Sequence, residues 1–294
     1  MPASDISRLP AADPDVLFVE NVLPVSEAVG ACRRLRWIHT GSSGYDHVTG
    51  GHGAPEGIVL TNSAGVFDAG IAEWVLLVLL ADAKDLLGTV RLQRQRRWNH
   101  RDSRLLAGSS ALVVGAGSVG TTVAAHLAAA QVRVTGVARR ARTSAPPFDA
   151  IVAVEDMDAQ LGTADAVVLC LPLTEETRGA FHSGRFANMR PGAAFVNVGR
   201  GEVVVEEDLV AALAAGIVGF AALDVFRQEP LPPESPLWAQ PGVIVSPHMS
   251  GDAGAWRERV TDLFLENLGA WLQGRPLRNV VSPDRAPGAA ATSG

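Results

Sequence analysis

The chain has 294 residues, a hydrophobic share of 47%, a charged share of 19% and a formal net charge of −6. One domain of the usual ~100–200 residues leaves a surplus at this length, so two globular domains are expected. An acidic balance, with a pI near 5.6, offers no basic surface for neutralising phosphates, which argues against nucleic acid as a partner and for a small molecule.

From the N-terminus, Met1–Pro10 carries one arginine and lacks the apolar centre of an export signal, so a cytoplasmic location is the default expectation. Strands are predicted at Val16–Glu20, Arg36–Thr40 and Ile58–Thr61, followed by a long helix from about Ala69 to Gly88. Inside that helix Trp74–Ala81 is the longest uninterrupted apolar run, far short of the ~18 residues that suggest a membrane span. Residues Ile71–Leu87 carry more apolar surface than a small domain readily covers, which points to a homodimer. The segment Arg91–Arg104 holds six arginines, yet the acidic remainder of the chain favours a solvated helix face or dimer edge over a nucleic-acid patch.

From Ala111 onward the pattern changes to short Val- and Ala-rich runs alternating with helical stretches, as in a parallel, doubly wound α/β sheet. The predicted strands are Ala111–Val114, Val132–Val137, Ala166–Leu171, Ala193–Val198, Gly219–Val225 and Val243–Ser246. Helices are predicted at Val119–Ala130 and Glu206–Ala215, with Gly216 placed as a C-cap. A last helix, about Gly254–Gln273, sets Val260, Leu263, Phe264 and Leu268 on one face and should pack back on the first region. The Pro-, Ala- and Gly-rich stretch 282–294 is expected to be a mobile tail. Cys32 and Cys170 have no CxxC spacing and no neighbouring His pair, so no disulfide framework and no metal site are expected.

Between the first strand and helix of the second region, Gly115-Ala116-Gly117-Ser118-Val119-Gly120 is a GxGxxG turn. Gly115 permits the sharp turn, Gly117 lets the backbone approach a pyrophosphate, and Gly120 allows close helix–strand packing. The free N–H groups of the helix start then face the phosphates. Three later segments follow predicted strands: Asn197-Val198-Gly199-Arg200-Gly201, Asp224-Val225-Phe226-Arg227-Gln228-Glu229-Pro230 and Ser246-Pro247-His248-Met249-Ser250-Gly251. Strand ends at one rim of an open sheet are where ligands bind. A guanidinium, a carboxylate and an imidazole gathered there are what reduction of a 2-keto acid requires: a clamp for the substrate carboxylate, an orienting group and a proton donor.

From about Asp15 to Val281 the chain resembles the D-isomer-specific 2-hydroxyacid dehydrogenases, a family that includes glyoxylate/hydroxypyruvate reductases. The resemblance implies a flavodoxin-like substrate domain, residues 1–83 and 254–294, beside a Rossmann dinucleotide-binding domain, residues 84–253. It implies a catalytic trio of Arg200, Glu229 and His248. It also implies that Asp224 lies near the nicotinamide carboxamide and that Leu171, Pro172 and Thr177 belong to a loop along the cofactor, with Val198, Gly199 and Gly251 nearby. The Thr40–Asp46 segment is similar to the family's substrate loop, in which Ser42, Ser43 and Gly44 would meet the substrate carboxylate. The segments Asn62–Val66 and Ala72–Trp74 match the family in positions read as packing residues.

Two departures stand out. Family members usually carry a further strand–helix unit before the segment matching Asp15–Glu20, so a smaller, truncated sheet is expected in the substrate domain. At the end of the second Rossmann strand, where NAD enzymes place a ribose-binding acid about 20 residues past the glycines, this chain has Ala138-Arg139-Arg140-Ala141-Arg142. Missing acid and added guanidiniums predict NADP as the preferred cofactor with NAD still accepted. Two other functions compete: a cofactor-sensing, corepressor-like binding protein with little turnover, and a related enzyme such as a phosphite dehydrogenase.

Overall fold

A computed structural model describes residues 13–19, 32–46, 56–143 and 146–281. The expected tail 282–294, the segment Met1–Pro10 and the end of the first predicted strand at Glu20 lie outside the described residues. The chain divides into two compact units, 1–67 with 253–294, and 68–252.

In the first unit β1 (Val16–Val19), β2 (Trp37–Thr40) and β3 (Val59–Thr61) run parallel. The two-residue strand β4 (Val280–Val281) adds antiparallel to β3, giving a four-stranded sheet. The helix Trp256–Leu272 lies in the same unit. Its Phe264 ring sits 4.9 Å from Phe18 and 5.5 Å from Trp37, while Trp271 is 5.5 Å from Trp37, so the predicted apolar face does return to the first region. His39 is fully buried in this aromatic cluster, its Nδ1 2.7 Å from Thr61 Oγ1 and its Nε2 3.2 Å from Ser63 Oγ. Burial pushes its pKa down to about 4, so it stays a neutral packing and hydrogen-bonding group.

In the second unit seven strands form one parallel sheet: β5 (Ser110–Val114), β6 (Arg133–Ala138), β7 (Ala150–Ala153), β8 (Ala166–Leu169), β9 (Ala193–Asn197), β10 (Val218–Leu223) and β11 (Val243–Val245). Their spatial order, β11-β10-β9-β8-β5-β6-β7, reverses direction between β5 and β8, and that switch point is where a doubly wound sheet opens a crevice. Side chains alternate faces along a strand, and the core follows. Leu112, Val114, Val167, Leu169 and Phe195 join one buried cluster, while Ala111, Val113, Val168, Ala194 and Val196 join the cluster on the opposite face. Burial on both faces explains why these strands read as continuous apolar runs. The strand β7 was not foreseen: Ala150–Ala153 is a four-residue edge strand without a pattern that separates it from the preceding loop.

The long predicted helix differs in two respects. It is broken at Asp85, which adopts φ 45° and whose carboxylate accepts from the Gly88 N–H at 3.1 Å, so that α1 (Asp68–Ala83) is followed by α2 (Leu86–Arg94). Helix α1 also belongs to the second unit rather than the first, moving the boundary from 83/84 to 67/68. The reason is packing: Ala72, Val75, Val78 and Leu79 share a buried cluster with Val123, Ala124 and Leu127 of α3 (Ser118–Ala129). Within the arginine-rich segment, Arg101 pairs with Asp85 at 2.6 Å and Arg104 with Asp82 at 2.7 Å. No helix among the described residues is long and apolar enough to cross a membrane.

Candidate active site

The glycine turn after β5 has the geometry of a phosphate cradle. Gly115 adopts φ 107°, where L side chains are strained, and a Cβ on it would lie 2.6 Å from the Cys170 carbonyl oxygen. A Cβ on Gly120 would lie 1.9 Å from the Gly115 carbonyl oxygen, so helix α3 can approach β5 only because that residue has no side chain. A Cβ on Gly117 would meet nothing within 4 Å. Gly117 therefore caps α3 beside open space, with the Ser118 and Val119 N–H groups starting the helix.

The three strand-end segments interlock in the same unit. A Cβ at Gly199 would be 2.6 Å from the Leu171 carbonyl oxygen, and one at Gly201 would be 1.8 Å from the Phe226 carbonyl carbon. Both positions demand glycine for close backbone approach. Asn197 at the end of β9 fixes the turn between them: its Nδ2 donates to the Arg200 carbonyl at 3.0 Å and its Oδ1 accepts from the Gly199 N–H at 3.1 Å. Beside this turn, Thr177 Oγ1 donates to the Pro172 carbonyl at 2.7 Å and accepts from the Thr174 N–H at 2.8 Å, so its hydroxyl shapes the Leu171–Thr177 loop.

His248 Nδ1 lies 2.7 Å from Glu229 Oε2, and Glu229 Oε1 accepts from the Phe226 N–H at 2.9 Å. The hydrogen bond from Glu229 raises the His248 pKa above 6.5; burial and the Arg200 charge oppose it, while the charges of Glu229 and Asp224 add to it. Burial alone would push the Glu229 carboxyl up, but the hydrogen bonds from His248 and Phe226, with the charges of His248 and Arg200, carry it below its ordinary value. Both side chains keep a solvent-facing part, 50% exposed for His248 and 36% for Glu229. The arrangement can hold a protonated imidazole beside a carboxylate and a guanidinium at one rim.

His248 itself has φ 52°, a left-handed conformation that needs support. Asp224 supplies it. Its buried carboxylate accepts from Ser246 Oγ at 2.6 Å, the Met249 N–H at 2.9 Å, the Ser250 N–H at 3.0 Å and Ser250 Oγ. A carboxylate has about four acceptor positions, so these bonds occupy Asp224 with the loop that carries His248. These bonds anchor the loop, a role that spacing could not reveal because the donors are 22 to 26 residues away.

Ala138 ends β6 at the rim, followed by exposed Arg139 and Arg140. Arg142 reaches back, its Nη2 donating to the Ala116 carbonyl of the glycine turn at 2.7 Å. In the first unit, the Ser42–Gly44 loop is held from within: Ser42 Oγ donates to the Gly44 carbonyl at 2.6 Å, Asn62 Nδ2 to the Ser43 carbonyl at 2.6 Å, and the Ser63 N–H to the Ser42 carbonyl at 3.0 Å. Asn62 and Ser63 thus shape that loop, beyond the packing role read from the sequence.

A profile described as "D-isomer specific 2-hydroxyacid dehydrogenase, NAD binding domain" matches residues 76–250. The chain belongs to the D-isomer-specific 2-hydroxyacid dehydrogenase family. It is 32% identical to a glyoxylate/hydroxypyruvate reductase B of Citrobacter koseri, over 91% of this chain and 86% of that one. It is 31% identical to a glyoxylate reductase of Thermofilum pendens, over 85% and 75% of the two chains. Among solved structures, an NADPH-dependent glyoxylate/hydroxypyruvate reductase from Sinorhizobium meliloti, in complex with NADP and sulfate, superposes with a TM-score of 0.81 at 29% identity, covering 92% of this chain and 85% of that one. The chain is accordingly an NAD(P)-dependent dehydrogenase. The open side of Gly117 and the free helix start beside it fit the diphosphate of such a cofactor.

Proposed function

We propose that this dehydrogenase reduces a small 2-keto acid, of the glyoxylate or hydroxypyruvate type, to the D-2-hydroxy acid. The observation that carries the proposal is the 2.7 Å contact between His248 Nδ1 and Glu229 Oε2, with the charge of Arg200 acting on both groups. The bound nicotinamide supplies the hydride. Arg200 holds the substrate carboxylate through paired N–H donors and draws electron density from the adjacent carbonyl. Because Nδ1 is committed to Glu229, His248 delivers its proton to the carbonyl oxygen from Nε2, and in the oxidative direction the neutral ring takes that proton back. Glu229 fixes the ring and balances its charge.

A lysine at position 200 keeps the charge but presents a point donor in place of a planar fork. Arg200→Lys is therefore expected to lower kcat/KM by about 10²-fold for every keto acid turned over, roughly the loss of one charge-assisted hydrogen bond at 1.5–3 kcal/mol. An efficiency within about threefold of the parent would remove the paired contact from the mechanism.

We further propose a homodimer. Leu77, Leu80, Leu86, Leu87 and Val90 of α1 and α2 are all exposed, Leu77 by 57%, and they form an apolar stretch of the kind that partner subunits cover. Sedimentation at micromolar concentration is expected to give twice the mass of the chain; a single monomer species would contradict it.

A further inference from the structure

Resting on the reading of this site as a dinucleotide site, we propose that Asp68 is a cofactor-positioning residue that turns Ser118 of the glycine motif into an acceptor for a hydroxyl of the nicotinamide-side ribose. Asp68 begins helix α1, is only 6% exposed, and its Oδ2 accepts the Ser118 hydroxyl. Its Oδ1 has no hydrogen-bond partner among the described residues. A buried carboxylate with one oxygen unpaired is costly. A carboxylate suits a helix start, but helix stability gives no reason to bury one of its oxygens without a partner.

Ser118, by contrast, is exposed at the first position of α3, next to the open side of Gly117. A serine beside a diphosphate ordinarily donates to it. Here the proton is committed to Asp68, so the outward lone pairs of Ser118 Oγ can only accept. Phosphate oxygens are acceptors too, and the dinucleotide donors nearest the diphosphate are ribose hydroxyls. Which ribose follows from the sheet. The adenosine half of a dinucleotide lies over the β5–β6 side of the switch point, ending at Ala138. Asp68 sits on the other side: helix α1, which it begins, packs onto β9, beyond β8 in the spatial order of the sheet. The hydroxyl therefore belongs to the nicotinamide half, and the relay runs from ribose to Ser118 to Asp68.

The test is equilibrium binding to the intact protein, read by the fluorescence of reduced nicotinamide and by calorimetry. The probes are NADPH, its analogues lacking the 2′- or the 3′-hydroxyl of the nicotinamide ribose, and 2′-phospho-ADP, which has no nicotinamide riboside. With the parent, removing one of the two hydroxyls should weaken binding about tenfold, the scale of a hydrogen bond to a charged relay. Asp68→Ala and Ser118→Ala should each weaken NADPH by a similar factor, yet change the affinity for that deoxy analogue and for 2′-phospho-ADP by less than about twofold. The analogue measurements on the parent need no substitution, so a fold defect in Asp68→Ala cannot mask the answer. Equal parental affinity for NADPH and both analogues overturns the relay, as does a variant that loses 2′-phospho-ADP as strongly as NADPH. A parent that binds no NADPH at all would overturn the cofactor reading instead.

Discussion

His248→Gln is expected to lower the turnover of keto-acid reduction by about 10²-fold or more, while the affinity for NADPH stays within about a factor of two. Glutamine keeps a hydrogen-bonding group near Glu229 but has no proton to give at neutral pH. The parent should also show the proton donor in its pH profile. Reduction needs the charged imidazole, and Glu229 holds the His248 pKa above 6.5. Reduction should therefore run at a plateau below that raised value and fall about tenfold per pH unit above it, while oxidation of the hydroxy acid rises over the same interval. Glu229→Gln removes the hydrogen-bonded charge, so the inflection should move to lower pH and the reductive plateau should shrink. Stopped-flow or steady-state rates across pH, with NADPH affinity measured in parallel, decide it. Parental turnover in His248→Gln would take His248 out of the reaction. An inflection unmoved by Glu229→Gln would take Glu229 out of its role.

The second large effect concerns the cofactor. NADPH is expected to be used with roughly ten- to several-hundred-fold higher kcat/KM than NADH. The end of β6 carries Ala138 in place of an acid, so no carboxylate rewards the ribose hydroxyl of NADH or repels the extra phosphate. Arg139 and Arg140 follow directly and are exposed, free of the core and next to the rim. One or two charge-assisted bonds to phosphate, at about 1.5–3 kcal/mol each, give a preference of that size, since 1.4 kcal/mol is a factor of ten. Arg142 lies against the glycine turn, its Nη2 donating to the Ala116 carbonyl at 2.7 Å. In Arg139→Ala/Arg140→Ala the preference should collapse to within a few-fold, mainly through the KM for NADPH, and Arg142→Ala should give a smaller loss. A parent that favours NADH, or a double variant that keeps its preference, would show that the phosphate is read elsewhere.

Much of this was legible in the sequence because the determining features are local. Strands buried on both faces leave continuous Val and Ala runs, the GxGxxG turn specifies its own backbone, and Gly216, at φ 70° after the helix Glu206–Ala214, terminates it as expected. Arg200, Glu229 and His248 could be picked out as candidates because each follows a strand, and the sheet brings strand ends together. What escaped depends on contacts between distant segments. The assignment of α1 to the second unit rests on its packing against α3, some 50 residues later, which no local pattern encodes. The break at Asp85 needs a left-handed residue capped by its own carboxylate, inside a stretch whose composition favours an unbroken helix. The four bonds to Asp224 and the Asp68–Ser118 pair are likewise tertiary: a single acidic residue in an apolar stretch gives no sign of what it will face.

This chain is expected to turn over 2-keto acids rather than merely hold a dinucleotide. The most direct measurement mixes the purified protein with NADPH and, in turn, glyoxylate, hydroxypyruvate, pyruvate and phenylpyruvate, following the loss of reduced-nicotinamide absorbance and the chirality of the product. Consumption of NADPH that depends on at least one keto acid, with the D-2-hydroxy acid as product, is the predicted result. Tight NADPH binding with no consumption for any of the four would contradict it and favour a cofactor-sensing protein built on the same fold.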